Sequence, residues 1–155
     1  MNLKRLSSFL LGAMMLVPTA FAMDPPERRA DSSSLTFEQQ DEEVCKRWSK
    51  VLDEIEENKN NLEKISHMLK KLNEELKILD RSSFKEVCDN RNYLCCCILV
   101  CNAYFYEKRF LSHEISEEEL GKHLERIADK LLKILGRPHF MEQKFVDRVT
   151  GIMML

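Results

Sequence analysis

Val44–Leu79 reads VCKRWSKVLDEIEENKNNLEKISHMLKKLNEELKIL. Apolar residues recur through it in steps of four and three: Val44, Trp48, Val51, Ile55, Leu62, Ile65, Leu69, Leu72, Leu76 and Leu79, with Asn58 in the one polar place. In heptad terms Trp48, Ile55, Leu62, Leu69 and Leu76 are a positions. Val44, Val51, Asn58, Ile65, Leu72 and Leu79 are d positions. Such spacing puts one stripe on one helical face and predicts a long helix over residues 37–79, packed along a single seam. At 1.5 Å per residue a continuous helix would be about 65 Å long. Thr36 offers an oxygen for its N-cap. NKNN at Asn58–Asn61 is the weak point, because asparagine is a poor helix former and tolerates turns. The preserved register argues for continuity.

The seam could close on a second copy or on the same chain. In a parallel homodimer each g residue meets the e residue of the next heptad. Only Glu54–Lys59 is an opposite-charge pair; Arg47–Leu52, Asn61–Ser66 and Met68–Asn73 are indifferent, and Glu75–Asp80 is repulsive. Leu52 and Met68 also widen the apolar face. Both points favour packing within the chain, with a homo-oligomer as the alternative.

Working outward, Ser83-Phe84-Lys85-Glu86 fits a capping box and opens a second helix running to about Phe110. Its middle, YLCCCILVCNAYFY at Tyr93–Tyr106, is apolar around nearly its whole circumference, the mark of a helix buried at the centre of a bundle. It is too short to span a membrane. Ser116-Glu117-Glu118-Glu119 forms a second capping box, and three acids in a first turn suit the helix dipole. Leu120, Leu124, Ile127, Leu131 and Leu135 make the amphipathic face that follows. Gly136 ends it, and Pro138 can begin a short terminal helix with Phe140, Phe145, Val149, Ile152 and Met153. Short connections imply antiparallel neighbours. The expected fold is all-α, an up-down bundle of about four helices, with residues 36–155 as a single helical domain.

The N-terminus, MNLKRLSSFLLGAMMLVPTAFAMDPPE, has the parts of a cleavable signal peptide over residues 1–22. Lys4 and Arg5 form the positive region, Phe9–Val17 the apolar region, and Ala20-Phe21-Ala22 the small-x-small site. The apolar stretch is short for a membrane anchor, and no cysteine follows it for lipidation. Residues 23–35, with two prolines and a serine run, read as a flexible leader. An exported product, periplasmic or secreted, follows.

The chain holds 26 acidic and 24 basic residues, and two of the basic ones sit in the signal. The acidic remainder lacks the basic face that a nucleic-acid binder needs, and it carries no polybasic membrane patch. Glycine is scarce, with Gly121, Gly136 and Gly151 far apart. A phosphate-cradling loop or dinucleotide fingerprint is excluded, and no cofactor is expected.

Six cysteines in a short exported chain would ordinarily suggest a disulfide scaffold. Here Cys88, Cys95, Cys96, Cys97 and Cys101 fall on one helix and only Cys45 lies elsewhere. Adjacent helical residues diverge by about 100°, so neighbours on the helix cannot bridge. One bond from Cys45 to any of those five is feasible. Cys88 and Cys95 share one stripe, Cys97 and Cys101 a roughly opposite one, so a four-thiolate site cannot form from this helix alone. The C-x₃-C pair Cys97/Cys101 could hold a soft ion such as Cu(I). The plainest expectation is that the thiols are small core hydrophobes. Their reduced state fits complete burial, or delivery to a reducing destination such as a host cell's cytosol.

Other chemistry is thin. His67 takes an outward f position, and His113-Glu114 begins a zincin motif that Ser116 and Glu117 do not complete. His123 flanks an apolar face, and His139 follows Pro138. No nucleophile–base–orienter set is evident. The expected function is therefore protein binding rather than catalysis. The heptad face would engage a partner helix or groove through Val44, Trp48, Val51, Ile55, Leu62, Ile65 and Leu69, with the single tryptophan as anchor. The alternatives are a thiol-based Cu(I) binder using Cys97 and Cys101, and an enzyme of unrecognised type.

Overall fold

A computed structural model describes residues 37–81, 87–137 and 141–154. The expected signal peptide, the leader, the Thr36 cap, the Ser83–Glu86 capping box and the Pro138 helix start lie outside the described residues. Five helices follow in order: α1 Phe37–Asn58, α2 Leu62–Asp80, α3 Val87–Leu111, α4 Glu117–Leu135 and α5 Gln143–Met154. No strand occurs among the described residues, and the helices pack as a bundle.

The heptad stretch is two helices, α1 and α2, divided at its asparagines. The Asn58 side-chain amide donates to the Glu54 carbonyl (2.7 Å), while the Asn61 side chain accepts from the Lys64 amide (3.0 Å) and caps α2. One asparagine closes a helix and the next opens another, the competition with regular backbone bonding that makes the residue a poor helix interior. The chain turns back there. Arg47 and Glu75, 28 residues apart, form an ion pair, whereas a continuous helix would hold them about 42 Å apart.

The remaining helices alternate in direction. α2 runs antiparallel to α3: the Cys101 thiol meets the Ile65 carbonyl at one end and Arg91 pairs with Asp80 at the other. α4 runs antiparallel to α3, with Tyr106 stacked on His123 at one end and Lys130 acting on Cys95 towards the other. α3 is the centre. Leu94, Cys96, Cys97, Ile98, Leu99, Val100 and Cys101 are all buried, which requires neighbours on every side, as the circumferentially apolar stretch predicted.

Local chemistry sets the other helix ends. The Ser116–Glu119 capping box forms as expected: the Ser116 hydroxyl accepts from the Glu119 amide, and the Glu119 carboxylate accepts from the Ser116 amide. Gly136 closes α4, its amide donating to the Leu132 carbonyl, and a β-carbon there would lie 2.8 Å from that oxygen. α3 ends in a Schellman motif. The His113 amide donates to Phe110, the Glu114 amide to Arg109, and His113 takes a left-handed φ of 58°.

Candidate functional site

The heptad residues expected to meet a partner are turned into the chain's own core. Trp48 is 1% exposed; Ile55, Ile65 and Leu69 are buried, and Val44, Val51 and Leu62 are half-buried. Most of the expected contact face is thus taken up by the chain's own helices, and a partner could reach Trp48 only by displacing one. The indole N–H donates to Asn90 Oδ1 (3.0 Å), and the Arg47 guanidinium lies 4.8 Å from the ring centroid. The physical reason is the width of the stripe. Cys45, Trp48, Leu52 and Ile55 form the buried line of α1, one position round from Val44 and Val51, because the helix faces a globular core rather than one partner helix.

The cysteines divide by burial. Cys45, Cys96, Cys97 and Cys101 are buried and Cys95 is half-buried; all five are free thiols. Cys45 carries no cross-helix bond to any of the described cysteines, and the Cys88 side chain lies outside the described residues. Cys97 Sγ donates to the Trp48 carbonyl (3.8 Å) and Cys101 Sγ to the Ile65 carbonyl (3.6 Å), tying α3 to α1 and to α2. Burial pushes the Cys101 thiol up to about 12 and raises Cys97 well above its ordinary value of 9.0. Cys96 is raised as well, by burial first and the neighbouring Cys95 second. A soft metal binds thiolates, so these surroundings oppose the Cu(I) reading of Cys97 and Cys101. Among the described residues no group of three or more His, Cys, Asp or Glu could hold a metal ion.

An open groove crosses α2 and α3 at the end where α3 finishes. It encloses about 530 Å³. Leu62 and Ser66 of α2 and Phe105 of α3 line it; Glu63, His67 and Lys70 stand along the α2 side, and Arg109 and Glu114 close the other. Arg109 lies over the Phe105 ring at 5.7 Å and pairs through Nε with Glu114 Oε2 at 3.0 Å. That ion pair joins the C3 and C″ positions of the Schellman motif, where an apolar contact is usual. Leu111, 57% exposed, ends the same helix. Of the seven expected contact residues, only Leu62 lines this opening.

Sequence reasoning also missed Arg148. Its Nη1 donates to the Ser49 carbonyl (3.0 Å), and Nη2 reaches Asp53 and Glu56, the latter at 3.3 Å. These partners lie more than ninety residues away, beyond any local pattern. His123, expected at the edge of an apolar face, is stacked flat on Tyr106 with centroids 3.7 Å apart. His67 is exposed, as its outward position predicted, and stands on the groove rim. Among the described residues no helix is long and apolar enough to cross a membrane.

The arrangement is that of an all-α bundle with four of its cysteines buried in the core. Comparison with family models, curated proteins and solved structures finds no match.

Proposed function

We propose that the chain is an exported helical interaction module that binds a protein partner through the α2–α3 groove. The carrying observation is the opening itself: a part-apolar lining of Leu62 and Phe105 among charges of both signs. An apolar anchor in a pocket within a polar rim is the anatomy of a binding hot spot. The fitting partner presents one large apolar side chain flanked by an acid and a base, to meet Lys70 and Glu63. Acidic composition argues against nucleic acid as that partner. Export rests on the Lys4/Arg5, Phe9–Val17 and Ala20-Phe21-Ala22 pattern, and a periplasmic or secreted destination follows from it.

Site-specific photocrosslinking in the producing cells tests the binding. A crosslinker at Ser66 should yield one discrete protein adduct, which Leu62→Glu abolishes, while a crosslinker at the exposed Asp129 yields none. Equal adducts from both positions, or an adduct indifferent to Leu62→Glu, would sink the assignment. N-terminal sequencing of the same material should begin at Met23.

A further inference from the structure

α5 lies on the rest of the chain as a helical peptide lies in a groove. Phe145, Val149, Ile152 and Met153 face inward, at i, i+4, i+7 and i+8, the anchor spacing of helix-in-groove recognition. The Phe145 ring meets Tyr93 of α3 edge-on at 4.7 Å, and the Tyr93 hydroxyl accepts the Glu142 amide at 2.7 Å. On the other wall Arg148 engages Ser49, Asp53 and Glu56 of α1.

Three observations mark α5 as a replaceable occupant of that groove. It has 12 residues, a length at which helices are marginal in water without a surface to dock on. The acids it meets lie towards the C-terminus of α1, where the helix dipole disfavours negative charge, and the last turn of α1 carries no basic residue. A cation arriving on a docking helix relieves that local conflict, so the groove selects for one. Finally, the Thr150 hydroxyl is buried without a hydrogen-bond partner. Docked α5 carries a desolvation penalty that a helix with an apolar residue there would avoid.

We propose that the α1–α3 groove is a docking site for an amphipathic helix of a partner protein, and that α5 fills it in cis until that helix arrives. The partner helix carries an aromatic residue, an arginine three positions on, and aliphatic residues at four, seven and eight, with an apolar side chain in place of Thr150. This site is separate from the opening at Leu62 and stands or falls without it.

Fluorescence anisotropy with a labelled peptide of residues 141–155 tests the proposal against the chain from residue 23 onward. The wild-type chain should bind it weakly, because its own α5 competes. Arg148→Glu loosens that α5 and leaves the groove intact, so this chain should bind the wild-type peptide about tenfold or more tightly, a difference of about 1.4 kcal/mol. A peptide carrying Thr150→Val should bind tighter still. An Asp53→Lys/Glu56→Lys chain should reject the wild-type peptide and take one carrying Arg148→Glu. A folded Arg148→Glu chain that binds no better than wild type overturns the proposal. Should that variant not fold, a protease site placed in residues 138–140 of the wild-type chain decides. After cleavage, added peptide should exchange with α5, and retention of α5 against excess peptide overturns the proposal. Light scattering that finds wild-type dimers built by α5 exchange overturns the partner helix in favour of a second copy.

Discussion

α3 and α5 are both buried against the core, but by different means. α3 is enclosed on all sides, and polar groups it brings inward are met where they stand: Tyr93 by the Glu142 amide, Cys97 and Cys101 by backbone carbonyls of α1 and α2. α5 covers one side, reaches α1 through Arg148, and leaves the Thr150 hydroxyl unmet. A helix buried all round cannot leave without unfolding its neighbours, whereas one buried on a single face can. The same apolar content therefore serves as the centre of the fold in one helix and as a removable cover in the other.

Truncation should separate them most sharply. Leu94 and Val149 are both fully buried. Leu94→Ala should lower global stability by about 2–5 kcal/mol, the range for a buried leucine whose site relaxes incompletely. Val149→Ala should cost less than half as much and should speed amide exchange in α5 before it moves the global urea midpoint. Equal losses with one shared transition would make α5 part of the cooperative core and erase the contrast.

Alkali offers the next test. Burial raises Cys96 and Cys97 well above the ordinary thiol value, and pushes Cys101, Tyr93 and Tyr104 up to about 12 each. The unfolded chain ionises these groups first, so it binds fewer protons than the native state above pH 9 and is favoured there. Stability contributed by the neutral thiols is whole below pH 9 and is lost as pH rises towards 12, at about 1.4 kcal/mol per pH unit for each group. Urea midpoints should thus fall steadily from pH 8.5 to 10.5. At neutral pH an alkylating reagent should mark Cys95 long before Cys96, Cys97 or Cys101, and Cu(I) should not protect Cys97 and Cys101 selectively. Early labelling of that pair, blocked by Cu(I), would restore the metal reading.

Much of this architecture was legible in the chain. Steps of three and four located α1 and α2, Ser116-Glu117-Glu118-Glu119 located the start of α4, and the apolar circumference around Cys96 located the centre. Local signals worked where local energies decide. The reversal at Asn58–Asn61 was visible only as a weak place, because an unbroken register is compatible with a straight helix and with two helices packed on one core. What covers Trp48 was beyond reach for a related reason. Periodicity tells which face is apolar but not what covers it, and here α3 and its neighbours do. Arg148 and the Leu62–Phe105 groove depend on residues brought together by tertiary packing, to which no spacing rule applies.

The smallest expected effect lies where α3 ends. His113 holds a φ of 58° at the C′ position, a conformation that glycine adopts without the β-carbon penalty and that histidine tolerates better than most residues. His113→Gly should therefore raise stability by about 0.5–1 kcal/mol, the relieved strain being partly offset by the greater freedom of glycine in the unfolded chain. Because the Schellman bonds run through the backbone, the Arg109–Glu114 pair should stay in place and crosslinking from Ser66 should be unchanged. Glu114→Ala should do the reverse, leaving stability within about 0.5 kcal/mol, as for an exposed ion pair, while freeing Arg109 and reshaping the groove wall. If His113→Gly destabilises the chain, the imidazole makes a contact worth more than the strain, and the end of α3 is held by more than its backbone cap.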